Sequence, residues 1–225
     1  MPDFLKLVNE LKGKLSSVDD PKRSVTMSAY MKNHFQFMGV NAPVRKEIQR
    51  DWFKSLPPLN HDQKTDLIVR LWKCPDREMH YVALDFLNKL PLKEIELDDV
   101  NLIEYLITRN SWWDSVDSIA TGFTGKYMKK FPEQRQILVE KWRASENRWL
   151  NRTCLLFQLK YSKETDTELL RSLVHQYKDR NDFFIQKAIG WSLRQLSKSN
   201  PDAVRGILEE IKLKGLALKV ASKYL

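Results

Sequence analysis

The chain has 225 residues and a formal net charge of +9, from 38 Lys and Arg against 29 Asp and Glu. This length suits one domain or a short repeat array, and a content of 42% hydrophobic and 11% aromatic residues excludes a disordered chain. The longest stretch without a charged residue, Asn33 to Val44, has 12 residues, whereas a membrane-spanning helix needs roughly 20 apolar residues. Charged residues throughout the first twenty positions argue against a secretory signal. We therefore expect a cytoplasmic protein with no membrane span.

The cysteines, histidines and glycines show none of the spacings that are typical of metal or nucleotide sites. Cys74 and Cys154 lie 80 residues apart, so we expect buried, unreactive thiols rather than a disulfide framework or a zinc site. The four histidines are scattered, and the seven glycines form neither a dinucleotide-binding fingerprint nor a phosphate-binding loop. The sequence therefore predicts no metal and no cofactor.

Positive charge is concentrated in the two ends of the chain. Residues 1–75 carry a net charge of +5, residues 76–150 carry −2, and residues 151–225 carry +6. Both basic ends of the chain would then bind a polyanion such as DNA or RNA, while residues 76–150 supply another function. The alternative is a basic protein whose lysines only keep it in solution.

The apolar residues follow a helical period almost everywhere, which predicts an all-α chain. Helix starts with a Ser or Asp cap are expected at Asp76, Ser111, Ser145 and Asp179, separated by 35, 34 and 34 residues. Long helical segments are predicted to follow these starts, with shorter ones between them, over residues 77–89, 94–107, 112–130, 133–143, 146–160, 166–177 and 182–197.

A helix pair that repeats at this period is the signature of an α-solenoid. The repeats share little residue identity, which favours HEAT-like pairs. We therefore predict a single domain over residues 1–225, a right-handed α-solenoid with a basic concave face. The second helices of successive repeats would line that face, so residues about 35 apart in sequence become neighbours there.

The predicted helix after Ser111 carries a buried stripe and, beside it, an aromatic–carboxylate pair. Trp113 and Asp117 are spaced i, i+4 and lie about 100° around the helix from the stripe, which is formed by Trp112, Val116, Ile119 and Phe123. One interpretation is structural: Trp113 packs against the next repeat while Asp117 pairs with a Lys or Arg. The other is that the pair belongs to a functional surface.

The predicted helix near 183–197 places an indole among cations. Its core stripe is Ile185, Ile189, Leu193 and Leu196, and roughly opposite lie Lys187, Trp191, Arg194 and Lys198. Burial in a single layer of helices explains this second set poorly. Cations that hold phosphates beside a ring that packs on sugar or base would explain it.

Arg152 takes the place of Lys187 in the preceding repeat. A guanidinium fork suits phosphate oxygens, so we expect Arg152 to hold a backbone phosphate. Three adjacent repeats would then bring Trp113, Asp117, Arg152 and Trp191 towards one place.

A lone carboxylate between two aromatic rings is suited to stabilising a cation. A purine alkylated at N3 or N7 already carries positive charge and leaves DNA without being protonated. Ordinary glycoside hydrolysis uses two carboxyl groups, one of them to protonate the leaving group. Here one carboxylate suffices, and we expect Asp117 to stabilise the oxocarbenium-like transition state and to orient water.

Four segments resemble the AlkD-type alkylpurine DNA glycosylases, a family built of HEAT-like repeats. They are YMKNHF at residues 30–35, SWWDSVDSI at 111–119, LLFQLKY at 155–161 and FFIQKAIGW at 183–191. The resemblance implies an enzyme that excises 3-methyladenine and 7-methylguanine from double-stranded DNA. We expect this reaction to need no cofactor, and a solenoid that wraps DNA is expected to act as a monomer. The resemblance also implies that Asp117 is catalytic, that Trp113 and Trp191 contact the sugar, and that Arg152 contacts a phosphate.

Further residues are expected to contact DNA. Tyr30 matches a DNA-contacting tyrosine of the family, and Asn41 stands where the family is expected to have glutamine. The remaining candidates are basic: Arg45, Arg148, Lys160, Lys187, Arg194 and Lys198.

Two other functions remain open from the sequence. The first is a non-catalytic solenoid that binds bent, bulged or branched DNA by shape and charge. The second is a HEAT-type protein scaffold without a DNA role, which requires Trp191 to be buried against a neighbouring helix.

Overall fold

The computed structural model describes residues 2–225, and its regular structure is helical. Within these residues, extended pairing is limited to an isolated parallel bridge between Gln36 and Asp76. The all-α prediction is confirmed, and the repeated helix pairs are consistent with a solenoid. No helix in the described range is long and apolar enough to cross a lipid bilayer. Handedness, a single domain and a basic concave face stay predictions.

The chain divides into two compact units, one ending at Glu94 and one beginning at Ile95. The helices of the first unit are α1 (Phe4–Ser16), α2 (Pro21–Tyr30), α3 (Ala42–Ser55), α4 (His61–Trp72) and α5 (Arg77–Lys89). Helix α1 packs against α3 and α4, and α4 packs against α5. Trp52 and Trp72 are fully buried in this core, and the Trp52 indole donates a hydrogen bond to the Leu7 carbonyl (3.1 Å).

A buried carboxylate organises the loop before α3. Glu78 is fully buried and accepts hydrogen bonds from the backbone amides of Met38 (3.1 Å), Gly39 (2.9 Å) and Val40 (3.2 Å). Gly39 has φ +85°, and a Cβ there would lie 2.1 Å from the Asp20 carbonyl oxygen, so only glycine fits. The loop therefore meets the start of α2, a helix that has no buried residue of its own.

The second unit contains the remaining helices in sequential pairs. They are α6 (Asp99–Thr108), α7 (Trp113–Ile119), α8 (Gly125–Lys130), α9 (Pro132–Arg143), α10 (Arg148–Leu156), α11 (Thr167–Tyr177), α12 (Phe183–Leu196), α13 (Pro201–Ile211) and α14 (Gly215–Ala221). Helix α10 packs against both α7 and α12, and α12 packs extensively against α14. Three of the predicted long segments, those that contain α7, α10 and α12, are thus neighbours in space.

The predicted period holds, but three of the four predicted caps are wrong. Helix α5 begins after Asp76 as predicted, whereas the later long helices begin after Trp112, Asn147 and Asp182 instead of Ser111, Ser145 and Asp179. Asn147 accepts from the amides of the second and third helical residues, and Asp182 does the same. These side chains satisfy free amides of the first helical turn, which decides where each helix starts.

A π-helical turn over Ala120–Thr124 joins α7 to α8, where the sequence predicted an unbroken helix. The insertion leaves Val116, Ile119 and Phe123 fully buried, as predicted. Trp112, the first member of the predicted stripe, is only partly buried because it caps α7 instead of lying within it. Such turns interrupt the regular ladder of backbone hydrogen bonds and often lie near functional sites.

The two thiols differ in burial. Cys154 is buried, as predicted, and the burial raises the pKa of its thiol to about 12. Cys74 is only partly buried, contrary to the prediction, and burial raises the pKa of its thiol.

Candidate active site

Three neighbouring helices of the second unit bring the predicted site residues together. Trp113 and Asp117 lie on α7, Arg152 on α10 and Trp191 on α12. Because α10 packs against both of the other helices, its side chains bridge them. The sequence spacing of about one repeat between these helices thus becomes contact in space.

The central feature is a buried ion pair between Asp117 and Arg152. The Arg152 Nε donates to Asp117 Oδ1 (2.7 Å) and Nη2 donates to Oδ2 (2.8 Å), so the guanidinium holds both carboxylate oxygens at once. The Arg152 Nη1 donates to the backbone carbonyl of Phe184 on α12. The side chain of Arg152 is 1% exposed and that of Asp117 is 19% exposed. One face of the carboxylate therefore reaches the surface while the guanidinium does not.

The Arg152 guanidinium contacts protein atoms, and the DNA-phosphate contact that the sequence predicted for it stays a prediction. A guanidinium that is almost completely buried, with its donors directed at Asp117 and Phe184, presents little surface to a DNA phosphate. The sequence spacing correctly placed Arg152 near the two tryptophans. The direction of its guanidinium depends on its acceptors, which are Asp117 on α7 and the Phe184 carbonyl on α12.

Aromatic rings form the walls of a cavity above this pair. The cavity has a volume of about 200 Å³ and is lined by Trp113, Arg152, Phe183, Phe184, Lys187 and Trp191. The Trp191 ring centroid lies 5.3 Å from the Arg152 guanidinium carbon. Trp113 and Trp191 are both partly exposed, so Trp191 is not fully buried as the scaffold hypothesis requires.

The electrostatic balance at Asp117 is set by two opposing effects. Burial removes water from the carboxylate and raises its pKa above the ordinary value, and the nearby Asp114 adds to the rise. The hydrogen bonds and the charge of Arg152 oppose this, but burial prevails. The site thus contains a carboxylate whose protonation begins at higher pH than that of a solvent-exposed aspartate.

A second aromatic cluster, which the sequence analysis missed, lies beside the cavity. The ring centroids of Trp112 and Trp149 are 5.8 Å apart, and each lies close to the Phe184 ring, at 5.2 and 5.1 Å. These residues come from α10, α12 and the N-cap of α7 and so join the same three helices as the ion pair. The cluster could not be predicted because its members are far apart in sequence. Each of them nevertheless lies within one helical turn of a predicted site residue, namely Trp113, Arg152 or Lys187.

The model of the DNA alkylation repair enzyme family matches residues 11–225. The chain belongs to the DNA alkylation repair enzyme family. The structure is similar to that of a predicted DNA alkylation repair enzyme from Enterococcus faecalis, with 32% sequence identity, a TM-score of 0.83, and coverage of 92% of this chain and 96% of that one. The search of curated proteins found no match. Membership of the DNA alkylation repair enzyme family assigns the chain to DNA repair, which confirms the predicted resemblance at that level.

The basic candidates of the second unit differ in how far they reach solvent. Lys160 and Lys198 are exposed, whereas Lys187 and Arg194 are partly buried. Arg148 is half exposed and pairs with Asp182 at 3.3 Å. In this member of the DNA alkylation repair enzyme family, Lys187 is the candidate cation that lines the cavity together with Arg152.

The three candidates of the first unit have different surroundings. Tyr30 is 67% exposed at the end of α2. Asn41 caps α3, because its side chain accepts from the Val44 amide. Arg45 is 7% exposed and donates to Asp85 (2.9 Å) and Gln49 (2.7 Å), so its guanidinium is held inside the unit. Its contact with DNA stays a prediction.

Within residues 2–225, no group of three His, Cys, Asp or Glu side chains is arranged to hold a metal ion. The chemistry available at the site is that of the Asp117 carboxylate, the Arg152 guanidinium and the surrounding rings. A carboxylate of this kind stabilises a developing cation or orients a water molecule.

Proposed function

We propose that this protein is a DNA glycosylase that hydrolyses the N-glycosidic bond of cationic N3- or N7-alkylated purines in duplex DNA. The observation that carries the proposal is a partly exposed carboxylate, Asp117, held beneath an aromatic cavity in a chain of the DNA alkylation repair enzyme family. Substrates of this class are 3-methyladenine and 7-methylguanine. In this proposal the enzyme is cytoplasmic, acts as a monomer and uses no cofactor.

The proposed chemistry needs one carboxylate because the leaving group is already activated. An alkylated purine with positive charge departs as a neutral base, and the charge moves onto the deoxyribose as the bond stretches. A carboxylate about 4 Å from that sugar contributes on the order of 4 kcal/mol at an effective dielectric constant of about 20. Only the part gained between ground state and transition state accelerates the reaction. Asp117 also orients the water that attacks the sugar.

The two indoles and the phenyl rings act on the same charge. The faces of Trp113 and Trp191 attract a cationic nucleotide, and each such contact contributes roughly 0.5–2 kcal/mol. The rings also displace water from the cavity, which strengthens the interaction of Asp117 with the sugar.

We assign Arg152 to holding Asp117 in place. Its bidentate contact fixes the position of both carboxylate oxygens. In this proposal the phosphates are contacted by other cations, among them Lys187, which lines the same cavity as Arg152.

The proposal is tested with Asp117→Asn. Single-turnover release of 7-methylguanine from a methylated duplex is expected to fall by about 100- to 1,000-fold, since loss of 3–4 kcal/mol of transition-state stabilisation has that effect. The matched control is Asp114→Asn on the same helix, for which a change below about threefold is expected. Circular dichroism and a urea titration of each variant show whether it folds.

Full activity in a folded Asp117→Asn variant would remove this residue from the mechanism. If the wild-type protein binds duplex DNA tightly and releases no base from it, the non-catalytic DNA-binding alternative replaces the proposal. If it neither binds DNA nor releases a base, the scaffold hypothesis is supported.

A further inference from the structure

Phe183 is a large apolar side chain that the fold leaves uncovered. It is the first residue of α12 and is 60% exposed, while the core stripe of that helix is buried. Its ring contacts the Phe184 ring edge-on, at a centroid distance of 5.4 Å, and so extends the aromatic cluster of Trp112, Trp149 and Phe184 to the surface. Core packing does not account for this exposed ring, and the side of it that lines the neighbouring groove has no role in the proposed chemistry at Asp117.

The ring of Phe183 separates two hollows of the second unit. On one side it lines the aromatic cavity with Trp113 and Trp191. On the other it lines a groove of about 400 Å³ between the loop that precedes α12 and the loop that precedes α14. The surface of the candidate site therefore continues past Phe183 into the groove without leaving the second unit.

The chemistry of the groove differs from that of the aromatic cavity. Lys178 and Lys214 line it, and neither forms an ion pair with another residue in the described part of the chain. The carboxylate of Asp182, which also lines the groove, is engaged by the first amides of α12 and by Arg148. Lys187 places its ammonium nitrogen 5.7 Å from the centroid of the Phe183 ring. The ring is thus flanked by cations on both sides.

We propose that Phe183 stacks on the base of the nucleotide next to the damaged one, while Lys178 and Lys214 contact the phosphates that follow it. This inference rests on the proposed function. Proteins bind unstacked nucleotides with aromatic side chains that stack on the bases and with cations that contact the phosphate backbone. An exposed phenyl ring flanked by lysines supplies both. Apolar side chains of this kind also enter between base steps of duplex DNA. The nucleotide lies over the ring because the surface is continuous with the cavity that takes the damaged nucleoside.

The base that stacks on Phe183 is identified by removing the phenyl ring from the protein and the neighbouring base from the DNA, first separately and then together. Release of 7-methylguanine is measured under single-turnover conditions from three duplexes: an intact one, one with a tetrahydrofuran abasic analogue 5′ to the lesion, and one with the analogue 3′ to it. On the intact duplex, Phe183→Ala is expected to be slower than wild type by about 5- to 100-fold, the usual effect of one base–aromatic stack. On one of the two abasic duplexes, wild type and Phe183→Ala should have equal rates, because the partner base is already absent.

Two variants control this experiment. Phe183→Tyr retains the ring and should keep the wild-type rate. Ile137→Ala removes an apolar side chain of the same exposure, 61%, on α9, and should have no effect on any duplex. The inference is overturned if Phe183→Ala matches wild type on the intact duplex, or if it slows release by the same factor on all three.

The two lysines are tested by binding rather than by chemistry. Fluorescence anisotropy with an undamaged duplex is measured at several salt concentrations for wild type and for Lys178→Gln/Lys214→Gln. The slope of log Kd against log salt should fall by about 1 for each phosphate that the variant no longer neutralises. An unchanged slope overturns this part of the inference.

This measurement also separates the inference from the proposed function. If wild type releases no base but the lysine variant has the reduced slope, the glycosylase proposal fails and the groove remains a DNA-binding surface. If wild type is active and the Phe183 and lysine variants behave as wild type, only the inference fails.

Discussion

The behaviour of Asp117 depends on how burial and ion pairing are balanced at a single side chain. Burial disfavours the carboxylate form and Arg152 favours it, and the net result is a raised pKa. The proposed reaction requires the ionised form, because only a negative charge stabilises the developing sugar cation. The ion pair therefore keeps the carboxylate ionised in a site that is dry enough for its charge to act strongly.

This balance predicts a pH effect for Arg152→Gln. As pH falls through the pKa of Asp117, the ionised fraction and the activity fall. Removing the guanidinium removes both effects that lower this pKa, so the pKa rises and activity is lost at higher pH than in wild type. The measurement is the pH profile of kcat/KM for 7-methylguanine release, corrected for spontaneous depurination without enzyme. A variant that loses the same factor at every pH would contradict this assignment.

At the scale of elements, α14 determines how closely the last helices approach the site. Gly190 on α12 is buried against α14, where an added Cβ would lie 2.6 Å from Val220 Cβ and 3.1 Å from the Ala217 carbonyl oxygen. Real side chains essentially never pack at the shorter distance. The next residue after Gly190 is Trp191, so the close contact of the two helices fixes the position of an indole in the cavity.

We expect Gly190→Ala to displace α12 from α14 and to lower both stability and activity. Overpacking of a tight contact costs typically about 1–3 kcal/mol of unfolding free energy, despite the better helix propensity of alanine. In the double variant Gly190→Ala/Val220→Gly, the side chain that the new Cβ would meet on α14 is removed. This variant should therefore recover part of the activity. Urea unfolding and single-turnover release are measured for the single and double variants. A Gly190→Ala variant as stable and active as wild type would show that the contact is adaptable.

The helices themselves were largely predictable, whereas their ends were not. The predicted segment 77–89 coincides with α5, and 166–177 differs from α11 by one residue, because the period of buried residues sets where a helix runs. The predicted caps of α10 and α12, Ser145 and Asp179, lie two and three residues before the observed caps, Asn147 and Asp182. Several polar residues near each start are acceptable caps by type, and only the backbone geometry decides which of them accepts from the first amides.

At the scale of the whole molecule, charge is the property that governs encounter with DNA. The net charge is +9, but many cations are engaged in ion pairs between helices. Lys141, for example, holds Glu104 at 2.6 Å, whereas Lys160 is exposed and has the cation Lys126 as its neighbour. Cations of the second kind are available to phosphates, and formal charge alone does not distinguish the two.

We therefore predict that Kd for an undamaged duplex rises by at least about 100-fold between 50 and 200 mM salt, as expected for about four phosphate contacts. Lys160→Gln should lower the slope of log Kd against log salt by about 1. The control Lys141→Gln removes a cation of the same charge that is already paired and should leave the slope unchanged. Equal slopes for all three proteins would show that Lys160 does not contact DNA.

The sequence by itself determined the all-α class, the repeat of about 35 residues and the four candidate site residues, because apolar periodicity and residue type are local properties. It left open whether Asp117 pairs with a Lys or an Arg and did not identify Arg152 as the partner, and it did not reveal the aromatic cluster of Trp112, Trp149 and Phe184 or the burial of Arg45. Each of these depends on the direction in which a side chain points once helices from distant parts of the chain have packed together. Only the tertiary structure decided that Arg152 faces Asp117, because the direction of a buried guanidinium depends on the hydrogen-bond acceptors that the neighbouring helices place around it.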